Sequence, residues 1–346
     1  MRAVVYSKTG DPDVLTLIDK AVPEPGPGQA RIAVHRSGVN PTDWKSRRGS
    51  GGGASVIEPP QVPGQDGAGI VDAVGIGVDA ALVGQRVWMW EAAFRRAEGT
   101  AQEFAIVPAS HVVRLPVEAS FDLGACLGIP FLTAHRCLTV TEDGPSRLGP
   151  GTLQDRVVLV AGGAGAVGNA AIQLARWSDA TVISTVSGPA KAQAAVAAGA
   201  DHVIDYRRQD VVAEIGKLAA DGVNTIVEVA PAANAGIDAA VIARHGSVAM
   251  YANDGGEEVS VPIRSQMTPN ARWQFVLVYT APKQAKASAV DDVAAAVRAG
   301  AIRVGEDAGL PLHHYPLEDA AAAHAAVEAS IVGKVLIDIA PIDSVR

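Results

Sequence analysis

Cysteine is nearly absent from this 346-residue chain, which carries only Cys126 and Cys137. Two thiols form no disulfide framework and suit a reducing compartment. An excess of basic charge is also missing. The formal net charge is -8, which argues against a protein built to grip nucleic acid. The short basic spots (Lys45, Arg47 and Arg48; Arg95 and Arg96; Arg207 and Arg208) read as solvated surface. No stretch gives eighteen uninterrupted apolar residues, which excludes a transmembrane helix as an expectation. Met1–Tyr6 leads into no apolar run with a cleavage-like site, so no signal peptide is expected and the cytoplasm is the expected location. No Ser/His/Asp or Cys/His grouping has a nucleophile's context, and Cys126 reads as a small buried apolar residue. The eight histidines include no H-x-x-x-H pair, and His313-His314 reads as a loop before Pro316.

What is present is an ordinary globular composition, 48% hydrophobic and 19% charged, in a chain long enough for two domains. The most informative stretch is Val157–Gly168. Four aliphatic residues, Val157–Val160, read as a buried strand feeding glycines spaced G-x-G-x-x-G at Gly163, Gly165 and Gly168, with a helix expected over Asn169–Trp177. The first glycine permits a tight turn. The second lets the backbone approach a pyrophosphate, and the third lets helix pack on strand. The helix start offers unpaired N–H groups and partial positive charge to phosphates, which makes Gly163, Ala164, Gly165, Ala166, Val167 and Gly168 the expected cradle.

The first 128 residues show short β-like runs broken by Pro and Gly: Ala3–Tyr6, Ala30–Val39, Gly69–Val74, Arg86–Trp90 and Glu103–Val107. This spacing predicts a small, curved β-rich domain. The glycine cluster 49–53 reads as a mobile loop. A helical pattern over Ala119–Leu138, interrupted at Gly128 and Pro130, reads as the crossover into a second domain. Strands are then expected at Val157–Ala161, Thr181–Val186, His202–Ile204, Thr225–Val229, Ser247–Tyr251 and Phe275–Tyr279. Helices are expected between them at Asn169–Trp177, Lys191–Ala198 and Val211–Ala219, making a doubly wound parallel sheet. Helices over Ala285–Ala299 and Leu317–Ala329 and a strand at Val335–Ile339 are expected to return to the first domain. The expected organisation is residues 1–128 and 280–346 in one domain, with 129–279 inserted and a cleft between the two.

Several stretches carry a more specific resemblance: Gly38-Val39-Asn40-Pro41-Thr42-Asp43-Trp44-Lys45, Pro63-Gly64-Gln65-Asp66-Gly67-Ala68-Gly69, Gly84-Gln85-Arg86-Val87, Gly99–Phe104, Leu132-Thr133-Ala134, Ala197–Tyr206 and Gly333-Lys334-Val335-Leu336. With the glycine motif they resemble, nearly end to end, the zinc-free medium-chain dehydrogenase/reductases of the NADPH:quinone oxidoreductase (zeta-crystallin-like) group. The resemblance implies an α/β fold in which a Rossmann doubly wound parallel sheet is inserted into a GroES-like β-rich catalytic domain. It also implies NADPH in the cleft and, often, a homodimer. Zinc members of the superfamily carry a cysteine in the segment of Asn40 and Gly-His-Glu where this chain has Gly64-Gln65-Asp66. Asn40 and Gln65 are poor zinc ligands, so no metal is expected.

Without a Lewis acid, the sequence favours a conjugated acceptor, in which delocalisation spreads the charge that hydride addition creates. NADPH is expected over NADH because no carboxylate follows Thr181–Val186, where NAD-binding domains place one for the ribose 2′-OH. By resemblance Ser187, Lys191 and Tyr206 meet the 2′-phosphate and Thr133 the nicotinamide, while Lys334 is a candidate to reach the cofactor, with a surface lysine as the alternative. Ala230 and Asn253 lie at carboxyl ends of strands, where cofactors bind. Asn40 and Asp43 fall on the loop beside the nicotinamide by resemblance. Asn40 is a candidate donor to a substrate carbonyl, and Trp44 a candidate wall for a planar acceptor. Many relatives have a tyrosine where this chain has Lys45. Three readings remain: a quinone reductase, an enone or enoyl reductase, and a non-catalytic NADPH-binding protein, crystallin-like or RNA-associated.

Overall fold

A computed structural model describes residues 1–49 and 54–339, so four of the five glycine-cluster residues lie outside the described residues. The chain divides into two compact units, 1–129 with 312–346, and 130–311. In chain order the first segment gives β1 (Arg2–Lys8), β2 (Thr16–Asp19), β3 (Gln29–Val39), α1 (Pro41–Arg48) and β4 (Val56–Gln61). It continues with β5 (Asp66–Val74), β6 (Arg86–Met89), β7 (Phe104–Pro108), β8 (Val112–Arg114) and α2 (Phe121–Leu138). The middle segment holds β9 (Val157–Ala161), α3 (Ala166–Trp177), β10 (Thr181–Val186), α4 (Pro189–Ala198) and β11 (His202–Asp205). Next come α5 (Val211–Leu218), β12 (Val223–Glu228), α6 (Pro231–Val241), β13 (Ile242–Met250), α7 (Ile263–Met267), β14 (Arg272–Phe275) and α8 (Lys283–Arg298). The last segment adds β15 (Leu312–Pro316), α9 (Ala320–Glu328) and β16 (Lys334–Asp338).

The first unit has a three-stranded sheet, β2-β1-β4, and a larger sheet ordered β15-β16-β3-β5-β6-β8, with β7 also pairing β3. The long strand β3 carries both β5 and β7 antiparallel to it, and the β3–β5 register shifts between Arg31 and Ile32 and between Val34 and Arg36, irregularities of the kind that bend a sheet. Ile32, Val34, Val71, Val87, Val335 and Ile337 lie in its core. The C-terminal strand β16 pairs antiparallel with β3, setting Val335 opposite Val39 and Leu336 opposite Gly38. That pairing brings Lys334 to the end of β3, beside Asn40.

The second unit is a six-stranded sheet ordered β11-β10-β9-β12-β13-β14. Every pair in it is parallel. The order reverses direction at β9, the strand that precedes the glycine motif, and ligands bind at such a switch point in doubly wound sheets.

Several expectations need correction. The chain returns to its first unit at 312 rather than 280, and α8 belongs with the second unit. Phe275–Tyr279 is not the sixth strand. That strand is Arg272–Phe275, and Val278–Thr280 forms a 3-10 turn. Gly128 and Pro130 do not interrupt α2, which runs through both. His313 and His314 sit on β15, paired parallel to β16, rather than on a loop. Helix α3 starts three residues earlier than expected, at Ala166.

Candidate functional site

In the first unit, the turn from β3 into α1 is built by Asn40 and Asp43. Asn40 is the N-cap of α1, followed by Pro41 at the first helical position, and Asp43 Oδ2 accepts the Asn40 backbone N–H at 2.7 Å. The Asn40 side chain is used elsewhere. Its Nδ2 donates to Asp66 Oδ2 at 2.7 Å, and its Oδ1 accepts from Lys334 Nζ at 2.6 Å. Lys334 Nζ also lies 3.8 Å from Asp66 Oδ2. Asp66 Oδ1 accepts the Ile129 backbone N–H at 2.9 Å. All four polar side chains are at most 3% exposed.

Burial dominates the titration of both carboxyls. It pushes Asp66 up to about 6, against the opposing pull of Lys334, Asn40 and the Ile129 N–H. Asp43 is pushed up to about 7 by burial and by the charge of Asp66, with the Asn40 and Gly64 N–H groups and Lys334 opposing. Trp44 is half-buried on α1, with the Lys45 ammonium 5.8 Å from its ring centroid. The expectation that Asn40 is a free donor is refined here: one amide hydrogen and the oxygen are already committed. Sequence reading placed Gln65 and Asp66 on the loop that corresponds to the zinc members' metal loop, as residues that orient neighbouring loops by hydrogen bonds, but it did not join Asp66 to Asn40 and Lys334. Its signal is a carboxylate beside a positive-φ glycine, Gly64, where an added Cβ would stand 2.3 Å from Thr100 Oγ1.

These donors do not fit zinc. The Asp66 oxygens are taken by an N–H, an amide and an ammonium, and Lys334 supplies the local cation itself. Among the described residues, no three His, Cys, Asp or Glu side chains group as metal ligands.

In the second unit, the glycine loop divides its labour differently from expectation. The left-handed residue of the turn is Gly162, at φ +69, one position before the motif. A Cβ on Gly163 would stand 2.1 Å from Ser184 Oγ, and one on Gly168 would stand 2.4 Å from the Gly162 oxygen. Both glycines are thus required by packing. Gly165 is exposed, and its Cβ would meet nothing closer than the Gly162 oxygen at 3.5 Å. It caps α3 with no side chain of its own to satisfy the helix N–H groups at Ala166, Val167 and Gly168. A pyrophosphate fits that arrangement.

Beyond β10 the chain runs through half-buried Ser187 and Gly188, with no carboxylate before α4. Lys191 is exposed on the first turn of α4, and Tyr206 follows β11 with half its surface in solvent. Thr133 is buried on α2. Asn253 is exposed beyond β13 and donates to Glu257 Oε1 at 2.6 Å. Ala230 caps α6, but its N–H is held by Glu228 Oε1, which also accepts from Asn234 Nδ2 at 3.0 Å. Glu228 and Asp238 form a buried carboxyl pair that the sequence reading missed. Burial and the neighbouring Glu228 push Asp238 up to about 9. The pair lines a cavity of about 240 Å³ together with Thr185, Tyr206 and Asn234.

A GroES-like sheet unit carrying a Rossmann unit with this glycine loop defines a medium-chain dehydrogenase architecture. Family models agree. Residues 26–117 match the alcohol dehydrogenase GroES-like domain and residues 166–295 match the zinc-binding dehydrogenase domain. The quinone oxidoreductase of Sus scrofa is 32% identical over 326 residues, covering 94% of this chain and 93% of that one. The Homo sapiens quinone oxidoreductase is 30% identical with the same coverage. The chain belongs to the quinone oxidoreductase family of medium-chain dehydrogenase/reductases. Among solved structures, a mycobacterial protein complexed with NADPH is 29% identical, with a TM-score of 0.80 over 97% of this chain and 99% of that one. An NAD-dependent alcohol dehydrogenase is 26% identical, with a TM-score of 0.83 over 98% of this chain and 100% of that one.

Proposed function

We propose that this chain is an NADPH-dependent quinone reductase that works without a metal. The observation that carries the reading is the pairing of an uncapped α3 start at exposed Gly165 with a β10 end that bears no carboxylate. The first suits a pyrophosphate. The second spares a 2′-phosphate from repulsion and places Lys191 within the following turn. The quinone oxidoreductase relatives, together with a structural neighbour complexed with NADPH, support the same reading. When bound, reduced nicotinamide supplies the hydride. The chain's own residues bind and orient: Gly163–Gly168 hold the pyrophosphate, while Ser187, Lys191 and Tyr206 hold the 2′-phosphate. Thr133, Ala230 (without its committed N–H), Asn253 and Lys334 complete the cofactor contacts. Asn40, Asp43 and Trp44 shape the acceptor end, where the remaining Asn40 N–H meets an acceptor oxygen. A quinone needs only such orientation and a polarising donor, since its own conjugation spreads the added charge.

The reading includes a cytoplasmic homodimer. Strand β14 is the edge of the six-stranded sheet, and Ile263, Met267, Phe275 and Leu277 are exposed on or near it. Such an apolar edge suits a second copy of the chain. Among the described residues, no helix is long and apolar enough to cross a membrane.

The test is NADPH oxidation with 9,10-phenanthrenequinone and, in parallel, with a simple enone. Turnover of the quinone supports the proposal, and turnover of the enone alone replaces it with a conjugated C=C reductase. NADPH binding with neither turnover leaves a non-catalytic NADPH-binding protein. Stoichiometric zinc in the purified active protein would overturn the metal-free part.

A further inference from the structure

Two glycines leave room for a buried ion pair in the first unit. A Cβ on Gly128 would stand 2.0 Å from Asp66 Oδ1, and a Cβ on Gly38 would stand 3.1 Å from Lys334 Cε and 2.1 Å from the Ala125 oxygen. Asp66 is completely buried and Lys334 is 2% exposed. Burying an ion pair is costly, and its geometry must be good for the pair to persist. Here it is tightly held. The Asp66 backbone oxygen accepts from Thr100 Oγ1 at 2.8 Å, and that hydroxyl lies 2.7 Å from Ser37 Oγ. Ile129 N–H anchors the carboxylate from α2.

We propose that Asp66, with Lys334 as its counter-ion, is a positioning residue for the reaction, fixing which way the Asn40 amide faces. An ammonium only donates and an ionised carboxylate only accepts. Turning the amide over would set its NH₂ against Lys334 and its oxygen against Asp66, two repulsive contacts in place of two hydrogen bonds. One orientation therefore survives, and one Nδ2 hydrogen remains uncommitted. The proposal rests on the reading above only in taking Asn40 to meet the reacting groups.

Protonating Asp66 removes its charge and gives the carboxyl an O–H that can donate to either side of the amide, so the amide is no longer held in one orientation. The charged and titratable groups facing this carboxyl are Lys334 from β16, Asp43 from α1 and the Cys126 thiol from α2. With Asp66 held near 6 by burial, kcat is expected to fall as pH drops through that range. The fall follows Asp66 if it vanishes in Asp66→Asn.

The experiment compares Asp66→Asn, Asn40→Ala and the double variant by steady-state kinetics from pH 5 to 9. Asp66→Asn is expected to lower kcat by about tenfold or more, as for loss of an aimed donor, with KM for NADPH within about threefold. In the Asn40→Ala background the same change is expected to alter kcat by less than about twofold. An equal loss in both backgrounds, or an acid limb kept in Asp66→Asn, overturns the proposal. If Asp66→Asn does not fold around its stranded ammonium, the wild-type Asn40 side-chain amide resonances followed from pH 5 to 9 carry the test, and the absence of any transition near pH 6 overturns the proposal. If the wild type turns over no acceptor, the function reading fails by itself, and positioning is read from the Asn40 side-chain amide resonances. Two separated, slowly exchanging protons that shift with a transition near pH 6 support positioning. Resonances unchanged by Asp66→Asn overturn it.

Discussion

Ser184 occupies the space that a side chain on Gly163 would need: its Oγ lies 2.1 Å from where that Cβ would be, while also donating to the Val160 oxygen at 3.1 Å. The first motif glycine is therefore a packing residue between β9 and β10. Gly163→Ala is expected to destabilise the protein by about 1–3 kcal/mol through overpacking. Gly165→Ala is expected to leave the melting temperature nearly unchanged and weaken NADPH binding. Urea unfolding and dinucleotide titration on both variants check this. Equal loss of stability in the two would refute the division of labour.

Lys191 is exposed at the start of α4, next to a carboxylate-free strand end. If it meets the 2′-phosphate, Lys191→Ala is expected to weaken NADPH by about tenfold, the order expected for a charge-assisted hydrogen bond. NADH affinity should barely change. Equal weakening of both dinucleotides would remove Lys191 from the site.

The Glu228–Asp238 pair makes stability depend on pH. Burial first, then the neighbouring carboxyl, pushes Asp238 up to about 9, so the folded protein holds a proton that the unfolded chain releases above its ordinary carboxylate value. Stability from this group is complete below that ordinary value and is lost as pH rises through about 9. The wild-type melting temperature is expected to fall between pH 7 and 10. Asp238→Asn should fall less, the gap reaching several degrees, on the order of 1–2 kcal/mol. Parallel curves would show that the pair holds no proton.

Asp292 on α8 accepts from His135 Nε2 at 2.8 Å, Arg147 Nε at 2.7 Å and the Leu148 N–H at 2.7 Å. Burial alone would raise its pKa, but these three donors outweigh it and hold the carboxyl low. Asp292→Ala strands a buried imidazole and a backbone N–H, and a loss of about 3–5 kcal/mol is expected from breaking one side of such a pair. Denaturant unfolding measures it, and a loss under about 1 kcal/mol would mean that water replaces the carboxylate.

Both cysteines are buried. Burial pushes the Cys126 thiol up to about 12 and the Cys137 thiol well above its usual range. The native protein is expected to expose almost no thiol to DTNB at pH 8 and two per chain after unfolding in guanidinium. Rapid native reaction would place a thiolate at the surface.

The sixth strand lies at Arg272–Phe275, earlier than its pattern suggested, but the chain by itself determined the first five strands of the alternation, the glycine loop and the absence of a carboxylate after Thr181–Val186. These are local patterns of apolar periodicity and turn chemistry, and they survive any packing. It also marked Asn40 and Lys334 as candidates one by one. Only the tertiary structure decided that they touch. They are 294 residues apart and meet because β16 adds to β3 antiparallel. The same holds for Asp66, for Asp292 against His135 and for Glu228 against Asp238. A carboxylate in sequence reads as surface until the strand order shows which partner is buried with it. The motif assigns Gly163 to the turn and Gly165 to the phosphate approach, but it does not show that Gly163 is held by packing. That packing is set by Ser184 on the neighbouring strand, since a side chain's room depends on what packs against it and not on its spacing.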